Sequence, residues 1–379
     1  MNVYLDNAAT TPMTSEVVDA MTTVLRSNFG NPSSIHSFGR EAKAIIENAR
    51  RSIAKLVNCV AKEIIFTSGG TEADNMAILC SIKDLGVNHV ITTSIEHHAV
   101  GHAVDAAIEK YGVKLSKVKL TENGHVDLDD LVAILEANRA DKILVSLMHA
   151  NNEVGNLLPI KKVSEICRKY EAYFHSDTVQ TMGHYAIDIA ALDIDFLTCS
   201  AHKFHGPKGV GFLYVNKNLK INPLIEGGAQ ERGLRGGTEN ISGIVGLKTA
   251  LELANEETAS HQAHVQGLKT YMIERLRSEI EDVRFHGDID PAHSLYTVLN
   301  VCFPNFKKQE MLLFMLDLEG VACSGGSACT AGANMGSHVL RGLNADTSRS
   351  NVRFSFSRFT TKEEIDFAME KIHKIMKED

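Results

Sequence analysis

The sequence predicts an α/β protein with a mostly parallel central sheet and a second, smaller α/β unit. Three observations carry this. Up to about residue 255, segments of helical period alternate with short β-rich runs. One of those runs, "KILVSLMH" (142–149), is almost unbroken in apolar character, which marks a strand covered on both faces. The length, 379 residues, exceeds what one hydrophobic core usually serves.

The elements follow in order. "EVVDAMTTVLRS" (16–27) and "REAKAIIENARRSIAKLV" (40–57) repeat apolar residues at helical spacing. "EIIFTS" (63–68) is a strand and "TEADNMAILCSIKDL" (71–85) a helix. "HVITTS" (89–94) is a strand, and "HAVGHAVDAAIEKYG" (98–112) is a helix ended by Gly112. The strand at 142–149 precedes a helix over "IKKVSEICRKY" (160–170). "DFLTCS" (195–200) and "VGFLYV" (210–215) are further strands. One long polar-apolar helix is expected over 256–282, as a connection between units. "SLYTVLNVCF" (294–303), "QEMLLFMLDLEG" (309–320), "NVRFSFSRF" (351–359) and "KEEIDFAMEKIHKIMKE" (362–378) then give strand, helix, strand, helix.

Bulk properties exclude several function classes. The formal net charge is −8. An acidic chain without a dense basic block is a poor nucleic-acid binder, so no such partner is expected. No run of 18 or more apolar residues occurs, so no membrane span is expected. The opening "MNVYLDNAATTP" lacks a basic segment followed by an apolar run, unlike a secretory signal. Seven cysteines (59, 80, 167, 199, 302, 323 and 329) form no C-x-x-C pair. Their odd number argues for a reducing, cytoplasmic setting over a disulfide framework. The chain also lacks H-E-x-x-H, and no metal is expected.

Five polar clusters follow predicted strands. In "FTSGGTEADN" (66–75), small residues expose backbone N–H groups where a helix starts, and Thr71 adds a hydroxyl; this suits a phosphate. The plainer alternative is a strand–turn–helix with Thr71 as N-cap. In "SAHKFHGPKG" (200–209), Lys203 stands among Ser200, His202 and His205, a setting for a Schiff-base lysine or for a solvated turn. In "YFHSDTVQ" (173–180), Asp177 ends a strand where open α/β sheets bind ligands, or caps the next turn. "SIEHHAV" (94–100) offers His97 or His98 for stacking on a planar ring, and "MHANNEVGN" (148–156) offers Asn152 as a hydrogen-bonding group. Singly, each has an ordinary structural reading. Together they supply an anion cradle, a lysine, a carboxylate, a stacking imidazole and amides. That is the set a pyridoxal-phosphate site requires.

With "YLDNAATTP", "FGNPSSIHSFGR", "FTSGGTEADN", "EHHAV", "NNEVG", "HSDTVQ", "SAHKFHGPKGVG", "RGLRGGTEN", "SGGSACT" and "VRFSFSRFTT" in this order, the chain resembles the cysteine desulfurases. These form the NifS/IscS-type branch of the class-V, aspartate-aminotransferase-like pyridoxal-phosphate enzymes of fold type I. The resemblance covers almost the whole chain. It implies that Lys203 binds the cofactor covalently, His97 stacks on its ring, Asp177 pairs with the ring nitrogen and Gln180 approaches the phenolic oxygen. Asn152 would line the same site. Gly70, Thr71, Ser200 and His202 would hold the phosphate. Thr238 would reach the phosphate of a neighbouring subunit, so a homodimer is expected. Arg353 would take the substrate carboxylate as a bidentate pair. Asn7, Asn31 and His36 are further substrate-side candidates.

The resemblance also explains "SGGSACTAG" (324–332), which sets Cys329 among small residues with no aliphatic neighbour. Cys329 matches the family nucleophile, which takes sulfur from L-cysteine as a persulfide and passes it to an acceptor. A Gly/Ser/Ala-rich loop suits a residue that must visit both cofactor and surface. Cys323 is expected as a strand-end core cysteine or a sulfur relay. The stretch from Cys329 to "HVLRGL" resembles the branch with an extended cysteine loop, which works with iron–sulfur scaffold proteins. Some members have a longer tail that helps dock the scaffold, whereas this sequence stops at Asp379. The expected units are 13–255 for the cofactor and, together, 1–12 and 256–379 for the smaller unit with the cysteine loop. The alternatives are a selenocysteine lyase, an aminotransferase or β-eliminating lyase of the same fold, and a non-catalytic sulfur-relay or scaffold-binding protein.

Overall fold

Four consecutive buried residues, Ile143–Ser146, lie inside a seven-stranded sheet. The structure is a computed structural model and describes residues 1–256, 258–325 and 336–377. Its chain starts with β1 (Val3–Tyr4), α1 (Ser15–Ser27) and α2 (Ser37–Leu56). Next come β2 (Ile64–Thr67), α3 (Gly70–Leu85), β3 (His89–Thr92), α4 (His98–Tyr111), β4 (Lys114–Lys117) and α5 (Leu128–Ala137). Then follow β5 (Ile143–Ser146), α6 (Ile160–Lys169), β6 (Tyr173–Asp177), the single-turn α7 (Ile189–Leu192), β7 (Phe196–Ser200) and β8 (Gly211–Val215). Helices α8 (Ile241–Glu256) and α9 (Thr258–Glu279) lead to β9 (Arg284–His286), β10 (Val298–Cys302) and α10 (Leu312–Leu318). The last elements are β11 (Val321–Ala322), α11 (His338–Gly342), β12 (Asn351–Ser355) and α12 (Lys362–Lys377).

The large sheet has the order β2-β8-β7-β6-β5-β3-β4. Its neighbours are parallel except around β8, which runs antiparallel to both β2 and β7. Side chains alternate between two apolar layers, as the period of a strand requires. On β5, Ile143 and Val145 join the layer containing Ile53 and Leu247, while Leu144 joins the opposite layer with Ile78 and Val104. Both faces are therefore covered by helices, which explains the unbroken apolar run in the sequence.

A second, antiparallel sheet has the order β12-β10-β9 and pairs Asn300 with Arg353. Leu299, Val301, Val352 and Phe354 pack there against Met272 of α9 and Met369 of α12. The N-terminal segment belongs to this neighbourhood. β1 pairs in parallel with β11, and Asp6 bridges to Ser355.

The mostly parallel sheet matches the sequence expectation, but several elements differ. The helix expected over 256–282 is α9, Thr258–Glu279, whereas α8, packed against α1 and α2, has no counterpart in the expected list. β4 and α5 have no counterpart in the expected list. β4 is an edge strand with lysine at each end and no fully buried residue, so it carries no apolar signal. The strand expected over 294–303 forms ladder pairs only from Val298. Among the described residues, no helix is long and apolar enough to cross a membrane.

Candidate active site

The C-terminal ends of β2, β6 and β7 converge on one cavity of about 500 Å³. β2 enters α3 through Gly69, whose φ of +150° only glycine adopts without strain. The neighbouring strand comes very close here: a Cβ on Gly211 would stand 2.9 Å from the Gly69 Cα. The first turn of α3 brings Gly70 and Thr71 to the cavity, opposite Ser200 and His202. The helix start is braced by Glu72, which accepts from the Ser68 N–H at 2.8 Å and from Arg235 at 2.9 and 3.1 Å. Open N–H groups at the start of a sixteen-residue helix favour an anion.

Lys203 closes a single 3-10 turn after β7. Its Nζ donates to the carbonyls of Ala8 at 2.6 Å and Ala9 at 2.9 Å. The N-terminal segment is fixed over this turn: the Thr11 N–H donates to the His202 carbonyl at 2.9 Å, and Gln180 Nε2 donates to the Ala8 carbonyl at 3.1 Å. Asp177, at the end of β6, accepts from the Val179 N–H at 2.8 Å. His97 caps α4 by accepting from the Ala99 N–H at its Nδ1, 3.2 Å away. That assigns the proton of the neutral ring to Nε2. Burial, then the nearby Lys203 charge, pushes His97 down to about 4, so it is neutral at physiological pH. His202 is likewise lowered to about 4 by burial.

Arg353 projects from β12 into the same cavity and is itself almost fully buried. Its guanidinium donates to Asp6 at 2.7 Å and to the Asn152 carbonyl at 2.9 Å. Its buried Nε has no hydrogen-bond partner among the described residues. The floor is acidic. Burial raises Asp74, and burial together with Asp74 raises Asp177. Donor atoms of Asp74, His97 and Asp177 all lie within 4.8 Å of one another. The cavity thus offers an anion cradle, a reactive amine, an imidazole, a carboxylate and a guanidinium.

The family described as Aminotransferase class-V matches residues 3–367. "Cysteine desulfurase IscS" of Dictyoglomus turgidum is 44% identical over 378 residues, covering 99% of this chain and 94% of the relative. The chain belongs to the IscS-type cysteine desulfurases of that family. "Putative cysteine desulfurase IscS 1" of Bacillus subtilis is 45% identical and covers 99% of this chain and 98% of its own. Among solved structures, a "NIFS-LIKE PROTEIN" superposes with a TM-score of 0.91 at 36% identity, covering 100% of both chains. "SspA in complex with cysteine" superposes with a TM-score of 0.79 at 30% identity, covering 95% of this chain and 100% of that one.

In this desulfurase-family chain the fold gathers most of the residues singled out in the sequence. Gly70, Thr71, Ser200 and His202 line the cavity at one side. Lys203, His97, Asp177, Gln180, Asn152 and Arg353 line the rest. Other residues singled out in the sequence take different places. Gly69, not Thr71, is the N-cap of α3. Asn7 does not line the cavity; its amide donates to the carbonyls of Tyr4 and Ser355. Asn31 and His36 are exposed and serve local turns, accepting from the N–H groups of Ser33 and Gly39. Thr238 is exposed and does not line its own protomer's cavity. Cys323 packs on the smaller core, and burial pushes its thiol up to about 12, which suits a core residue better than a relay. Cys329 lies outside the described residues.

Two site residues were not foreseen. Asp6 is the partner of Arg353, and nothing local in "YLDNAA" marks that long-range contact. Asp74 had a signal: it shares the buried face of α3 with Ala73, Met76, Ala77 and Cys80, where a carboxylate is out of place.

Proposed function

We propose that this cysteine desulfurase binds pyridoxal 5'-phosphate in the cavity around Lys203 and converts L-cysteine to L-alanine, leaving the sulfur as a persulfide on Cys329. The donor set fits the cofactor. Gly70 leaves space that a side chain would fill, since a Cβ there would stand 2.8 Å from Val179 Cγ2. Gly70, Thr71, Ser200 and His202 would hold the phosphate, Asp177 the ring nitrogen, and His97 the ring face. Gln180 and Asn152 complete the ring's polar surroundings. When bound, the cofactor supplies the electron sink that labilises bonds around the substrate α-carbon.

The chain's own groups do the rest. Lys203 anchors the cofactor and moves protons near the α-carbon from its Nζ. Neutral His97 carries its proton at Nε2, from which it can donate, while Nδ1 accepts from the Ala99 N–H. Arg353 keeps free donor capacity beyond Asp6 and Asn152 for a carboxylate. The overall exchange balances: the Cβ–S bond of cysteine breaks, an S–S bond forms on the Cys329 sulfur, and the thiol proton accounts for the third hydrogen of alanine's methyl group. The described flanks of the Cys329 segment support its assignment. Ser324 donates to Asp6 at 2.8 Å beside Arg353, and His338 lines the cavity.

The observation that carries this reading is the single cavity that joins Lys203, Asp177, His97 and Arg353 in a chain of this family. We treat 13–255 as the cofactor-binding unit and 1–12 with 256–379 as the smaller one, and take Thr238 to act across a homodimer. The sulfur would pass to an acceptor such as an iron–sulfur scaffold. The test is alanine and sulfide release from L-cysteine, with L-selenocysteine in parallel. After L-cysteine, the Cys329 peptide should carry one extra sulfur that a reductant removes. Cys329→Ser should bind L-cysteine yet produce almost no alanine. Added sulfur elsewhere, with alanine still formed by that variant, would overturn the assignment.

A further inference from the structure

Asp74 stands beneath the proposed cofactor position without a role in the chemistry above. It is 1% exposed, lines the cavity, and keeps its Oδ1 without a hydrogen-bond partner among the described residues. Such an atom is costly if the group is charged. No cation offsets it. His175 Nε2 lies 3.5 Å away, but this imidazole is fully buried and lowered to about 4, hence neutral. Its ring nitrogens are engaged by Ser146 and Thr198. The titratable groups around Asp74 are His175 and Asp177 on β6, Glu96 and His97 before α4, and Lys203 in the turn after β7, whose Thr198 meets Asp74 from the strand itself. Lys203 alone among these is cationic, and it donates to the carbonyls of Ala8 and Ala9.

Glu96 satisfies its own burial, accepting from the Met148 N–H at 3.0 Å and the Thr93 hydroxyl at 3.0 Å. Asp177 has the Val179 N–H. Asp74 has only the Thr198 hydroxyl to offset its desolvation. Its donor atom lies within 4.8 Å of that of Asp177. Two ionised carboxylates that close, in a dry floor, would face a single ring-nitrogen cation. One is the matched number.

We infer that Asp74 is a positioning residue, carried as the neutral acid beside Asp177, so that the two carboxyl groups present one negative charge to the cofactor's ring nitrogen. This rests on the cofactor reading above and adds a residue to it. Asp74 touches neither substrate nor reacting atoms; it acts through Asp177. An amide at this position, neutral and of the same shape, has N–H donors and reproduces the function. An isosteric alkyl group does not.

The test uses the wild type, Asp74→Asn and Asp74→Leu. Each is stripped of cofactor and titrated with pyridoxal phosphate, with circular dichroism confirming the fold. Asp74→Asn should bind within about threefold of wild type, and Asp74→Leu about tenfold or more weakly, the loss expected for a missing hydrogen bond beside a charge. In the cofactor-loaded proteins at pH 7, the infrared difference between wild type and Asp74→Asn should contain the C=O stretch of a protonated carboxyl. A loss in Asp74→Asn equal to that in Asp74→Leu, an unaffected Asp74→Leu, or no protonated-carboxyl band overturns the inference. A wild type that fails to bind pyridoxal phosphate removes the underlying reading as well, so the two failures are told apart.

Discussion

Nη2 of Arg353 donates to Oδ1 of Asp6 across 2.7 Å, and the same oxygen accepts from Ser324 at 2.8 Å. One carboxylate thus holds the guanidinium of β12 and the chain leading to residue 326. Arg353→Lys should raise KM for L-cysteine about tenfold or more, because an ammonium cannot keep Asp6, Asn152 and a carboxylate in one plane. Asp6→Asn should raise KM in the same direction by less. Steady-state kinetics decide this, and an unchanged KM in both variants would remove Arg353 from the substrate site.

Lys203→Ala should lose the covalent link to the cofactor. Borohydride treatment of the wild type, then digestion, should leave the cofactor mass on the peptide containing Lys203, and the variant should show none. Alanine formation should fall by roughly three orders of magnitude or more. A reducible link persisting in the variant would point to another lysine.

Glu231 and Arg50 form a buried pair away from the cavity. Arg50 donates to both Glu231 oxygens, at 2.7 and 2.8 Å, and the Phe66 N–H donates at 2.8 Å. Glu231→Ala leaves the buried guanidinium with Glu47, at 3.0 Å, as its remaining carboxylate and should cost up to about 3–5 kcal/mol in urea unfolding. The double change Arg50→Met with Glu231→Leu should recover part of that loss. If the single variant is as stable as wild type, the pair contributes nothing.

Lys269 is 1% exposed, and burial pushes its amine down to about 7. It still donates to Ser294 Oγ at 2.7 Å and to the Leu295 carbonyl at 2.9 Å. The unfolded chain therefore binds the Lys269 proton more tightly than the folded one between pH 7 and the ordinary lysine value. Stability from this group rises with pH across that window, by up to about 1.4 kcal/mol per pH unit. The unfolding midpoints of wild type and Lys269→Met should diverge from pH 7 to 9, wild type gaining on the variant. Parallel pH profiles would show that the amine is not displaced.

The sheet was legible because its signals are local. Apolar runs such as 142–149 and the cap at Gly112 report their own conformation, and α4 does end with Gly112 in the left-handed region at φ +66°. What escaped depends on distant partners or on polar edges. Helix α5 is capped by Asp127, which accepts from the N–H groups of Asp129 and Asp130, a polar start that masked its apolar stripe. Asp6 becomes meaningful only once residue 353 lies beside it. Asn7, Asn31 and His36 went the other way: they sit in family-like blocks but their polar atoms serve nearby backbone.

The order in which the chain is made gives the N-terminal segment a further significance. Ala8 and Ala9 accept from a lysine 194 to 195 residues downstream, and β1 pairs with Val321 and Ala322. Residues made before the whole large sheet are thus among the last to find their places. The nascent sheet can form early from neighbouring β–α units, yet the roof over Lys203 must wait until β11 and β12 have emerged. A chain arrested before residue 353 would expose its lysine without the guanidinium that lines the same cavity. The topology therefore withholds a finished reaction site until β12 has been made.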